Sequence, residues 1–139
     1  MMNTIGNRIS LVAGALLLGA VAHPAWAGDL KLSGAQEVPP VTTQASGTGQ
    51  ISIAADGAVS GSVTTTGVAG TMAHIHVAPM GKNGPVIVPL AKTGDGVWSV
   101  PAGAKLSAEQ MKSYEAGELY VNVHSDAHKG GEIRAQLKP

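Results

Sequence analysis

The chain has 139 residues, with nine basic and nine acidic side chains, no cysteine and no phenylalanine. This balance excludes the strongly basic surface that nucleic acid or an anionic membrane selects, and the missing cysteine excludes disulfides, thiolate ligands and thiol nucleophiles. The length suits a single domain, whose core must be built mainly from Val, Ile, Leu and Ala.

The first residues read as an export signal. Arg8 supplies a positive start, Leu11 to Ala22 is an apolar run, and Ala25-Trp26-Ala27 is an A-x-A cleavage site. A run of about twelve residues falls short of the roughly 20 that span a bilayer. Residues 1–27 are therefore expected to be a signal peptide, leaving residues 28–139 as one periplasmic or secreted domain with no stable membrane insertion. The 112 residues that remain carry eight basic and nine acidic side chains, a net charge of −1 with histidine neutral.

Leu30 to Leu32 opens the domain as a short strand. Gln36-Glu37-Val38-Pro39-Pro40-Val41 is expected to be extended, because each proline pushes its predecessor out of the α region. Ile51-Ser52-Ile53 and Val59-Ser60-Gly61-Ser62-Val63 alternate apolar and small polar residues on either side of Asp56-Gly57, a strong hairpin signal. Further strands are expected at Thr71 to Val77, Pro85 to Leu90, Gly96 to Val100, Glu118 to His124 and Glu132 to Leu137, each bounded by Gly, Pro, Asn or Asp. One segment differs: Ser107 as N-cap, Gln110 three residues on as capping box, and Gly117 as stop predict a short helix over 107–116, with Leu106, Met111 and Tyr114 toward the sheets. Trp98 reads as a core or edge anchor. The fold class is all-β, an antiparallel β-sandwich of the immunoglobulin-like or superoxide-dismutase-like Greek-key kind with one short helix near 107–116.

Alternate residues of a strand share a face. Ala73, Ile75 and Val77 thus leave His74 and His76 on the opposite side. Leu119, Val121 and Val123 leave Tyr120, Asn122 and His124 opposite, and Ile133, Ala135 and Leu137 leave Glu132, Arg134 and Gln136. The polar faces point away from the main core, unless a loop or the helix covers them. Glu132 and Arg134 are expected to pair across the surface, for about 0–1 kcal/mol.

Cα atoms of His74 and His76 lie roughly 6.5 Å apart on an extended strand, close enough for their rings to share one ion, and a neighbouring strand at about 4.8 Å can add His124. Asp126 and His128, in the turn that follows, are extra candidate ligands. Nitrogen and oxygen donors without thiolate suit Zn²⁺ or Cu²⁺ better than Cu⁺, although Met72 and Met80 flank the first pair with softer sulfur. Set against a site for copper or zinc at His74, His76 and His124 is a non-metal reading: a protein-interaction or envelope-structural module whose partner is an unidentified envelope protein. The motifs lean against an enzyme, since G-x-S-x-G, the P-loop and H-E-x-x-H are all absent.

Several blocks in order carry a family resemblance: Gln36-Glu37-Val38-Pro39-Pro40-Val41, Ala73-His74-Ile75-His76, Gly84-Pro85-Val86-Ile87-Val88, Leu119-Tyr120-Val121-Asn122-Val123-His124, and Gly131-Glu132-Ile133-Arg134-Ala135-Gln136-Leu137. Together they resemble a CHRD domain, the chordin-type module, here in the single-domain exported form of bacteria, over Leu30 to Leu137. In chordin the module sits in a secreted growth-factor antagonist, which implies a binding role more than a catalytic one. A fainter similarity, through the H-x-H strand and the late Gly-Gly segment, is to Cu/Zn superoxide dismutase, whose cysteine pair this chain lacks. Superoxide dismutase activity is accordingly not expected.

Overall fold

A computed structural model describes residues 25–139; the apolar run of the expected signal lies outside the described residues. Nine strands and one helix follow in chain order. They are β1 (Ala25–Ser33), β2 (Ser46–Ile53), β3 (Val59–Thr66), β4 (Gly70–Val77), β5 (Val86–Pro89), β6 (Ala91–Gly94), β7 (Val97–Ser99), α1 (Ala108–Glu115), β8 (Leu119–Ser125) and β9 (Ile133–Leu137). Ala25, Trp26 and Ala27, the expected cleavage site, pair with Ile53, Ser52 and Ile51, and the register slips between Ala27 and Leu30.

The strands make one antiparallel sheet in the order β5-β4-β8-β9-β1-β2-β3-β7-β6. Its edges, β5 and β6, are joined in sequence by Leu90 alone, whose N–H donates to the Ala73 carbonyl. At the middle, β9 and β1 share a single registered pair among the described residues, Ser33 with Arg134. The sheet therefore folds over at β9/β1 and nearly closes on itself, giving the expected all-β, sandwich-like fold with one helix. Leu32, Ile51, Ile53 and Val63 from one half and Ile75, Val121, Val123, Ile133 and Leu137 from the other fill the space between, all nearly inaccessible. Each such burial stabilises by about 1.5–3 kcal/mol. Trp98, 4% exposed on β7, is the expected core anchor, and its indole packs close to Gly70 of β4 in the facing layer.

Local signals act where the sequence places them. The β2–β3 hairpin turns at Asp56-Gly57, where Gly57 takes φ +89 and the Asp56 carboxylate accepts from the Ala58 N–H. The helix starts on a complete capping box between Ser107 and Gln110, while Leu106 and Tyr114 are buried and Met111 packs on the core. None of the described helices is long and apolar enough to cross a membrane. In the Gln36–Val41 segment only part is extended, because Gln36 closes a 3-10 turn over Gly34–Gln36. The β6 strand has no counterpart in the sequence-based expectation; all four of its residues are exposed, so no apolar alternation marks it.

The feature that positions the site is β8, whose seven residues are all buried. Its apolar face meets the core, and its polar face lies beneath the 34–43 segment, the loop between β4 and β5, and the turn between β8 and β9. Asn83 Nδ2 donates to the Val38 carbonyl, tying two of these covers together. Arg134, expected at the surface in a pair with Glu132, is instead 1% exposed. It donates to Asn83 Oδ1 at 3.0 Å and to the Lys82 carbonyl at 2.6 Å, and its guanidinium sits 3.4 Å from the Tyr120 ring centroid. Glu132 accepts from Thr43 and Ser125. The expected surface pair fails because chain remote in sequence covers that face, and a buried guanidinium left without acceptors for its N–H groups would cost several kcal/mol.

Candidate metal centre

β4 and β8 run antiparallel with Met72 opposite His124, His74 opposite Asn122 and His76 opposite Tyr120. This register places His124 diagonally across from His74, and the two rings lean together until His74 Nδ1 and His124 Nε2 are 3.1 Å apart. His74 and His76 rings are 5.5 Å apart between centroids, and those of His76 and His124 6.0 Å. One ring nitrogen from each of the three lies within 4.8 Å of the others. Two nitrogens bound to one tetrahedral ion at 2.0–2.1 Å stand about 3.3 Å apart, so one pair is already at ligand spacing and the third ring has little distance to close.

Hydrogen bonds set the tautomers. His124 Nδ1 is 2.8 Å from the Lys129 carbonyl and His76 Nδ1 is 2.9 Å from the Gly84 carbonyl. A carbonyl only accepts, so both Nδ1 atoms carry the proton and both Nε2 atoms present bare lone pairs. That is the outer arrangement of a metal-bound imidazole, oriented through its second nitrogen by a backbone carbonyl. His124 Nε2 in turn accepts from His74 Nδ1 in the ion-free state. His76 Nε2 is buried and makes no well-formed hydrogen bond.

The orphan is not isolated. Glu37 Oε1 and Asn122 Oδ1 are likewise buried without a well-formed hydrogen bond, although the Asn122 amide lies near enough to both His76 and Glu37 to bias their ionisation. Three of the four buried side-chain atoms that lack a hydrogen-bond partner among the described residues thus belong to this one polar layer, and native folds leave few such atoms without a reason. His76 stacks on Tyr120 with centroids 4.7 Å apart and planes 2° from parallel, and the Tyr120 hydroxyl accepts from the Gly84 N–H. Gly84 must be glycine, since a Cβ there would strike the Val77 carbonyl oxygen. Gly131, at φ +123, similarly leaves room for Glu37 and Asn122, which a Cβ would displace.

Electrostatics favour the neutral forms of His74 and His76. Burial lowers the pKa of His74, and the neighbouring His124 and His76 lower it further. Burial also lowers that of His76, against the opposing pull of the Gly84 carbonyl. Glu37 is pushed up to about 7 by burial, with Arg134 and Asn122 acting the other way.

Of the residues singled out in the sequence, His74, His76 and His124 meet, with His76 and His124 each 7% exposed and His74 half-buried. Asp126 and His128 stand apart from the three. Asp126 is exposed on a cavity lined by Thr65, Thr71, Lys92 and Trp98, and His128 lines another with Glu37, Val38 and Asn83. Sequence reading missed Glu37 and the carbonyls of Gly84 and Lys129; only the face shared by Tyr120, Asn122 and His124 hinted at a second polar layer. Neither the curated proteins nor the solved structures contain a match to this chain. The family model described as CHRD domain matches residues 29–137, and the chain belongs to the CHRD domain family.

Proposed function

We propose that this is an exported CHRD domain that binds a divalent transition metal, copper or zinc, through His74, His76 and His124. Two observations carry the reading: His76 Nε2 is buried without a hydrogen-bond partner, and one ring nitrogen of each of the three histidines lies within 4.8 Å of the others. An ion would satisfy that lone pair and, once the His74 proton moves from Nδ1 to Nε2, replace the His74 to His124 hydrogen bond with two metal bonds. All-nitrogen donors with no thiolate suit Zn²⁺ and Cu²⁺, and three protein ligands leave a fourth position open.

A ligand that binds only the folded state stabilises it by about 4.1 kcal/mol at a thousandfold excess over its dissociation constant. Thermal melting with and without Zn²⁺ or Cu²⁺ tests the reading. The melting temperature should rise with metal in the parent protein and stay unchanged in the His74→Ala, His124→Ala double variant. Equal shifts in both proteins, or none in either, would overturn it.

A second reading, an envelope-structural or interaction module without metal, is favoured by the hydrogen bonds that already tie His74, His76 and His124 into the fold. It leaves the His76 orphan unexplained, and His74 and His124 are not the well-separated pair it would require. Export to the periplasm or beyond is part of the proposal; fractionation of cells expressing the full chain, with the N-terminal residue of the recovered protein read by sequencing, tests it.

A further inference from the structure

The three histidines leave one side of the centre bordered by a residue of a different chemical kind. Met72 alternates with His74 and His76 along β4, so all three side chains share a face, and Met72 is the direct cross-strand partner of His124. Directly opposed residues have Cβ atoms about 4.5–5.5 Å apart, and methionine adds three rotatable bonds beyond that. The Thr71 hydroxyl donates to the His124 carbonyl, fastening the strand ends beside Met72. Met72 is 51% exposed, while His76 at the other end of the row is buried. Met72 therefore occupies the solvent-exposed end of the row, and His76, with its orphaned nitrogen, the buried end.

Two further observations single it out. The chain has five methionines and no cysteine, so a thioether is the only sulfur ligand it can offer. Met80, which also flanks the His-Ile-His run in sequence, is carried away by the loop after β4 and lines a cavity with Gln36, Gly81 and Gln136. A large apolar side chain half in water next to an all-imidazole cluster is poorly placed for packing and well placed for a soft metal.

We propose that Met72 supplies a fourth, thioether ligand to the His74, His76 and His124 centre, so that the site takes copper as both Cu⁺ and Cu²⁺ in preference to zinc. The proposal rests on the metal-binding reading above and refines it. Imidazole alone serves Zn²⁺ and Cu²⁺ well; adding thioether sulfur raises the affinity for Cu⁺ with little effect on Zn²⁺.

The test compares the parent protein with Met72→Leu, Met72→Ala and the His74→Ala, His124→Ala double variant. Cu⁺ affinity is measured without oxygen by competition with a chromophoric chelator, and Zn²⁺ affinity is measured in parallel. Substitution at Met72 should weaken Cu⁺ binding by about tenfold or more, a loss typical of removing a group that tunes a metal centre, and should change Zn²⁺ binding by less than about twofold. A sulfur scatterer should appear in the X-ray absorption spectrum of the Cu⁺ form and vanish in both Met72 variants. Unchanged Cu⁺ affinity in both variants, or parallel losses for Cu⁺ and Zn²⁺, overturns the Met72 assignment while leaving the histidine centre intact. Absence of binding by the parent protein overturns both.

Discussion

Glu37 offers a quantitative check on the buried polar layer. Its side chain is 3% exposed, one carboxyl oxygen has no partner, and burial moves its pKa from 4.5 to about 7 against the opposing effects of Arg134 and Asn122. A displacement of that size corresponds to about 3 kcal/mol of bias toward the neutral acid; screening where the carboxyl borders an open cavity reduces this to about 1–2 kcal/mol. The unfolded carboxyl ionises near 4.5 and the folded one near 7, so between these values the folded state holds the extra proton. Stability therefore falls as pH rises through that window, and the full cost is present above it. Glu37→Gln keeps the shape and removes the ionisation. At pH 8 the variant should be more stable by about 1–2 kcal/mol, raising Tm by about 4–8 °C for a domain of this size. At pH 5 the two proteins should melt within about 2 °C of each other. The histidines add a slope of opposite sign, but both proteins share it, so the difference between them isolates Glu37. Thermal melts followed by circular dichroism from pH 5 to pH 8 read the effect. A difference that is the same at both ends, or a variant less stable at pH 8, refutes the reasoning.

Because burial lowers the pKa values of His74 and His76 below the ordinary 6.5, their neutral, ligand-ready forms persist to lower pH. Metal-dependent stabilisation should survive at pH 6.5 and disappear only as pH falls through the lowered values; a midpoint of loss at or above 6.5 contradicts this. The Tyr114 hydroxyl is buried without a partner, so Tyr114→Phe should be neutral or stabilising by up to about 1 kcal/mol in urea unfolding, and a loss beyond that size would reveal a hidden bond. Gly84→Ala forces a Cβ against the Val77 carbonyl oxygen and moves the carbonyl that orients His76. It should cost about 1–3 kcal/mol of stability and weaken Zn²⁺ binding about tenfold to a hundredfold; Zn²⁺ affinity equal to that of the parent would show that the carbonyl does not orient the ligand.

What could be read early was local. The Asp56-Gly57 hairpin declares itself because its turn needs a left-handed glycine between two alternating strands, and the helix because Ser107 and Gln110 satisfy each other's backbone groups. The parity of β4 and β8 placed His74, His76 and His124 each on the polar side of its own strand for the same reason: side chains alternate in any extended strand, whatever its neighbours. β6 was invisible because Ala91–Gly94 is exposed on both faces and pairs only at the sheet edge. Glu132 and Arg134 were misread as a surface pair because nothing near them in sequence announces the cover. Thr43, which donates to Glu132, and Lys82 and Asn83, which accept from Arg134, lie 51 to 89 residues away.

The sequence by itself determined the all-β class, the helix, the hairpin and the polar-side placement of each histidine on its own strand, all of which follow from period and turn chemistry, while the ordered blocks carried the family resemblance. Only the tertiary structure decided that β8 lies beside β4 in the register that sets His124 diagonal to His74. It also decided that loops remote in sequence bury the polar face, orient His76 and His124 through Gly84 and Lys129, and strand a lone pair on His76. Those outcomes depend on which segments of chain meet across long sequence separations, and that is settled by the closure of the whole sheet, not by any one of its strands.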